Sequence, residues 1–232
     1  MSLTCIYRIS DGSYKKDRLL NATKENCLNN FLEMFGPYAR IIIMADNVKD
    51  ETVEWINEMV SEDVEIVRTK SDGNGYAANI AMGIGTEVDT EYVYFIEDDY
   101  LHVHGSYEVL MEGLEISDYV SLYDHPDKYL PGSWGGNPFI DEDGGELTKV
   151  FLTDSTHWKL TNSTTMTFAT SVKILHEDRK LWKQYTNHKH PQDFQCFLAL
   201  RERGRSLITP LPSFSTHCDV DWVSPLRHWE NI

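Results

Sequence analysis

Roughly the first hundred residues alternate short apolar runs with stretches of helical periodicity, and this alternation constrains the fold more than any other feature of the chain. Leu3 to Ile9 is a β-rich run broken by Ser10-Asp11-Gly12. Leu20, Cys27, Phe31 and Met34 then fall on one helical stripe that Gly36-Pro37 stops. Arg40 to Met44 is a second apolar run, ending in Ala45-Asp46-Asn47. Asp50 follows as a cap for a helix with Val53, Ile56 and Val60 on one face. Val64 to Val67 reads as a third strand, Asp72-Gly73-Asn74-Gly75 as a turn, Tyr76 to Met82 as a small-residue helix, and Tyr92 to Ile96 as a fourth strand. The pattern β-α-β-α-β-α-β predicts an α/β fold with a mostly parallel central sheet covered by helices on both faces.

In such sheets a ligand sits beyond the carboxyl ends of the strands, here marked by Ser10-Asp11, Asp46-Asn47, Lys70-Ser71 and Glu97-Asp98-Asp99. The second half is less regular. Residues 131–138 and 141–145 form a Gly/Pro-rich and acidic loop region. Phe151-Leu152 and Thr161 to Ala169 read as strands, Pro191 to Arg203 as a helix, and Leu207 to Phe214 as a last strand whose two prolines suggest a sheet edge. Without a repeat, a low-complexity tract or a linker, the expectation is one domain over residues 1–232.

Charge narrows the partners. With 21 Lys+Arg against 37 Asp+Glu the chain carries −16, which disfavours nucleic acid and acidic membranes. No apolar stretch is long enough to span a bilayer, and neither a secretion signal nor an anchor is expected. Cys5, Cys27, Cys196 and Cys218 lack CxxC spacing, so they read as reduced thiols, and the expected compartment is the cytoplasm.

Three consecutive acids, Glu97-Asp98-Asp99, close a hydrophobic strand, where burial of negative charge needs a cationic counterpart. Carboxylate oxygens on a rigid strand end suit Mg²⁺ or Mn²⁺, which take one or two protein carboxylates and fill the remaining positions with substrate phosphates. An acidic turn in water is the plain alternative.

The context of the triplet resembles a known family. Gly75-Tyr76-Ala77-Ala78-Asn79-Ile80-Ala81, followed by Glu91 to Asp99, is similar to the GxxxAxN helix and the hydrophobic strand with terminal DXD of GT-A glycosyltransferases, especially family two. The resemblance covers roughly residues 3 to 101. It implies a GT-A (Rossmann-like) fold, a nucleotide-sugar-binding half at 1–101 and a loop-rich acceptor-binding and catalytic half at 102–232. It further implies that Ile9, Ser10, Asp11 and Asp46 contact the base and ribose, that Asp98 or Glu97 meets the ribose or sugar, and that Asp99 holds the metal. Asn79 is the helix asparagine of the motif. Where the family often has Arg just before it this chain has Ala78, leaving Lys70 or Arg68 to supply the positive charge.

The family's Glu-Asp pair at a late helix start, whose Asp is the catalytic base, corresponds to Gln192-Asp193. In inverting sugar transfer that carboxylate takes the acceptor hydroxyl proton, and the helix dipole is expected to keep it ionised. A simple helix cap is the other reading of Asp193. A late histidine serves several GT-A enzymes as a further metal ligand, and His217 stands in that place, though it also suits a surface turn. Trp134, in its Gly/Pro loop, is a candidate sugar platform, with Trp158 and Trp222 competing for the role. The His188/His190 pair reads as loop.

The expected activity is therefore metal-dependent transfer of a single sugar from a nucleotide diphosphate-sugar to a carbohydrate or other acceptor hydroxyl, with inversion and without processivity, since QxxRW is absent. A sugar-phosphate nucleotidyltransferase and a non-catalytic carbohydrate- or metal-binding module are the competing expectations.

Overall fold

The computed structural model describes residues 2–12, 17–134 and 136–232, with Trp134 described by its backbone only. Strands β1 (Leu3–Ser10), β2 (Arg40–Asp46), β3 (Glu65–Thr69) and β4 (Tyr92–Glu97) alternate with helices α1 (Lys24–Phe35), α2 (Asp50–Met59) and α3 (Asn74–Thr86). There follow β5 (Tyr100–His102), α4 (Ser106–Ile116), β6 (Tyr119–Val120), β7 (Val150–Leu152), β8 (His157–Leu160) and β9 (Phe168–Ser171). The chain continues with α5 (Val172–Thr186), α6 (Asp193–Glu202), β10 (Leu207–Leu211) and β11 (Ser215–His217). Among the described residues, nine strands join one sheet in the order β3-β2-β1-β4-β9-β6-β10-β8-β7. The β3-β2-β1-β4 half is parallel throughout, and strands from the second half extend the same sheet through antiparallel pairs on β9 and β8.

Period-two alternation along the strands loads both faces. Cys5, Tyr7, Ile9, Ile41 and Ile43 pack with Phe31 and Phe35 of α1, Ile56 of α2 and Leu110 of α4. Ile6, Ile42, Met44, Val93 and Phe95 pack on the other side with Ala77 and Met82 of α3, Leu175 of α5 and Phe197 of α6. Three layers result, and each fully buried aromatic or aliphatic side chain contributes about 1.5–3 kcal/mol. The small residues of α3 let it lie close to the sheet: a methyl group on Gly85 would stand 2.8 Å from the Phe95 ring. All four cysteines are free and buried.

Three expectations are corrected. Leu20 lies outside α1 and is fully exposed, because the helix starts only at Lys24 behind the Thr23 cap, whose side chain accepts the Asn26 N–H. Residues 161–167 form no strand; β9 begins at Phe168. The proline-bearing β10 is interior, between β6 and β8, where Pro210 sits opposite Trp158. Alternation turns its missing N–H toward β6, and β6 has already ended at Val120, so no ladder bond is lost.

Candidate active site

The strand order reverses between β1 and β4, since β2 and β3 lie on one side of β1 and β4 lies on the other. Such a switch point opens a crevice at the carboxyl ends of the two strands. A cavity of about 210 Å³ opens there, walled by Arg8 and Ser10 of β1, the Glu97-Asp98-Asp99 triplet, Asp193 at the start of α6 and His217 of β11. Local pairing explains how distant residues meet. β11 lies antiparallel to β5 with His217 opposite Tyr100, and the Cys218 N–H donates to the Asp99 carbonyl at 2.8 Å. This register sets the His217 Nε2 3.1 Å from Asp99 Oδ2.

Each acid of the triplet has a basic partner drawn from the first strand or the segment after it. Arg8 pairs with Glu97, the Lys24 ammonium lies 3.6 Å from Asp98, and the Arg18 guanidinium lies 3.5 Å from Asp99. Asp98 also accepts the Ser10 N–H at 3.0 Å. Even so, burial first and the Asp99 charge second push Asp98 up to about 6. Asp193 accepts the N–H of Phe194 at 2.8 Å. The helix amides were expected to hold it ionised at low pH, but burial outweighs them and pushes its carboxyl up to about 6.

The other residues singled out by sequence divide into two sets. Ile9 is wholly buried in the core. Asp11 accepts from the Lys49 N–H at 2.8 Å and from the Thr52 hydroxyl at 2.9 Å, which secures the start of α2. Asp46 accepts from the Thr69 hydroxyl at 2.8 Å and the Ser71 N–H at 3.0 Å, tying β2 to the turn after β3. Lys70 is exposed beyond β3, beside Arg68, which pairs with Asp50 at 2.7 Å. Asn79 is turned toward α5, where Arg179 donates to its Oδ1 at 2.6 Å. None of these six side chains lines the cavity. The side chain of Trp134 lies outside the described residues. Trp158 is core, with its indole N–H donating to Thr153 at 2.9 Å, whereas Trp222 stands on the cavity wall with its ring 5.1 Å from that of His125.

Sequence reasoning missed Arg8, Arg18, Lys24 and His125. Arg8 carried a usable signal, a single charge inside the otherwise uncharged run Leu-Thr-Cys-Ile-Tyr-Arg-Ile. Among the described residues no group of three or more His, Cys, Asp or Glu is gathered as a metal site. The adjoining Asp99 carboxylate and His217 imidazole fit a divalent cation that completes its shell with diphosphate oxygens and water.

A three-layer, largely parallel α/β sheet with an acid-lined crevice at its switch point is consistent with a GT-A fold. The family model described as glycosyl transferase family 2 matches residues 18–179, more than half the chain, and the chain belongs to that family. GalNAc-T7, solved with UDP, GalNAc and Mn²⁺, superposes with a TM-score of 0.60 at 14% identity over 93% of this chain; the match spans 43% of GalNAc-T7, under half its length. 4-Diphosphocytidyl-2C-methyl-D-erythritol synthase from Anaerococcus prevotii superposes with a TM-score of 0.53 at 12% identity, covering 90% of this chain and 87% of its own. No curated protein sequence matches the chain. Among the described residues no helix is long and apolar enough to cross a membrane.

Proposed function

We propose that the chain is a metal-dependent glycosyltransferase that moves one sugar from a nucleotide diphosphate-sugar to an acceptor hydroxyl with inversion, acting within a single domain. The observation that carries this reading is the presence of Asp193 and the Glu97-Asp98-Asp99 triplet on one 210 Å³ cavity. A carboxylate with a pKa near 6 is ionised at neutral pH yet basic enough to take a proton, which is what a general base requires. Asp193 takes the acceptor hydroxyl proton at its free oxygen, while the Phe194 N–H orients the other. Asp99 and His217 would hold Mn²⁺ or Mg²⁺, which supplies charge to offset the departing diphosphate. Trp222 offers a ring face for a sugar on the same wall.

The comparison that tests this is Asp193→Ala against Asp99→Ala. Asp193→Ala is expected to lose at least roughly a hundredfold in turnover while keeping Mn²⁺-dependent nucleoside diphosphate affinity, the usual weight of a general base. Asp99→Ala is expected to lose that metal-dependent affinity. Equal nucleotide binding in chelator overturns the metal assignment, and release of inorganic diphosphate from a nucleoside triphosphate mixed with a sugar phosphate, with no nucleoside diphosphate formed from a sugar nucleotide, indicates nucleotidyl transfer.

A further inference from the structure

We propose that Arg18 is a phosphate-binding residue held in reserve on Asp99: a divalent cation arriving at Asp99 displaces the guanidinium, which then turns onto the donor's diphosphate. This rests on the glycosyltransferase reading and adds to it a residue that no motif marks.

Three observations carry it. First, Arg18 and His217 converge on the same atom, Asp99 Oδ2, at 3.5 and 3.1 Å, so a cation held by Asp99 and His217 competes directly with the guanidinium. A doubly charged ion attracts one carboxylate about twice as strongly as a guanidinium at the same distance, and the His217 imidazole adds a second ligand that the guanidinium cannot use. Second, the Arg18–Asp99 contact is the more easily parted arginine pair: it sits at the outer limit of hydrogen bonding, whereas Arg8 is in close contact with Glu97 and within 3.4 Å of the Asn74 side-chain oxygen. Third, Arg18 is fixed by its backbone. It bridges Asp219, the Leu19 N–H donates to the Cys218 carbonyl, and the Val220 N–H donates to the Asp17 carbonyl, each at 3.0 Å. The side chain can therefore swing within the cavity while its Cα stays beside the segment that carries His217. A guanidinium freed there offers paired N–H donors that match phosphate oxygens. The cation and the arginine then act in sequence, so that the pocket becomes positive only when metal is present.

The test uses full-length protein and two ligands measured separately by titration calorimetry: Mn²⁺ alone, and whichever of UDP, GDP, CDP and ADP the parent binds best in saturating Mn²⁺. Arg18→Ala is expected to bind Mn²⁺ alone as tightly as the parent or a few-fold more tightly, because a competitor is gone. The same variant is expected to bind the nucleoside diphosphate roughly ten-fold more weakly, the usual loss for a charged hydrogen bond. Arg18→Lys should recover part of that loss. Unchanged nucleotide affinity in Arg18→Ala overturns the proposal, as does parallel loss of Mn²⁺ affinity, which assigns Arg18 to shaping Asp99. If the parent binds none of the four nucleotides with Mn²⁺, the functional reading itself fails, a result distinct from either.

Discussion

At the residue scale the decisive quantity is the proton affinity of Asp193. Its carboxyl is pushed up to about 6 chiefly by burial, so turnover should fall on the acid side with an apparent pKa near 6 as the base becomes protonated. The stability effect has the opposite slope. The folded state binds this proton more tightly than the unfolded chain, so the contribution is fully present below about pH 4 and is lost as pH rises through 6. Keeping Asp193 ionised at pH 8 therefore costs the fold at most about 3 kcal/mol. Asp193→Asn, which retains an oxygen for the Phe194 N–H, is expected to be inactive and yet more stable than the parent at pH 8, with the difference vanishing near pH 4. Denaturant melts at the two pH values check this; a variant less stable at pH 8 contradicts it. The shift itself was not legible in sequence, because Asp193 at a helix start points to stabilised charge and only the packed cavity shows that burial wins.

At the element scale, the two glycines of the turn before α3 pack against the loop that leads to Asp193, the proposed base. The Gly75 N–H donates to the Lys189 carbonyl at 3.1 Å, and a Cβ on Gly75 would fall 2.2 Å from the His188 carbonyl oxygen. The two glycines flanking Asn74 thus admit the backbone of residues 188–190, the loop that delivers Asp193 to the cavity. Gly75→Ala must push this loop away. It is expected to lower kcat by about a hundredfold, as displacement of a base by about 1 Å does, while nucleoside diphosphate affinity changes little; a parallel drop in both measures points instead to general unfolding. In sequence these glycines are visible as a turn, but their partner is more than a hundred residues away and cannot be read from spacing. The same limit hid most of the second half. β5, β6 and β11 are two or three residues long, too short for any periodicity to register, and α5 is dominated by polar residues such as His176-Glu177-Asp178-Arg179-Lys180.

At the scale of the whole molecule, the first half was legible because β1, β2 and β4 are apolar, buried and closed by polar residues at the crevice, so the pattern and the sheet agree. The triplet and Asp193 could be nominated from sequence, whereas the basic partners of the triplet could not, because ion pairs across 74 to 89 positions are set by topology alone. One property of the packed molecule offers a practical handle. Sulfur is sealed inside at all four cysteine positions, and burial raises the thiols of Cys5 and Cys196 further from reactivity. Intact protein should therefore resist iodoacetamide for as long as it stays closed, and the mass gained per hour becomes a clock for transient opening. Saturating nucleoside diphosphate and Mn²⁺ should slow that clock, while labelling within minutes at any of the four sites would mean that the interior breathes far more than its packing implies.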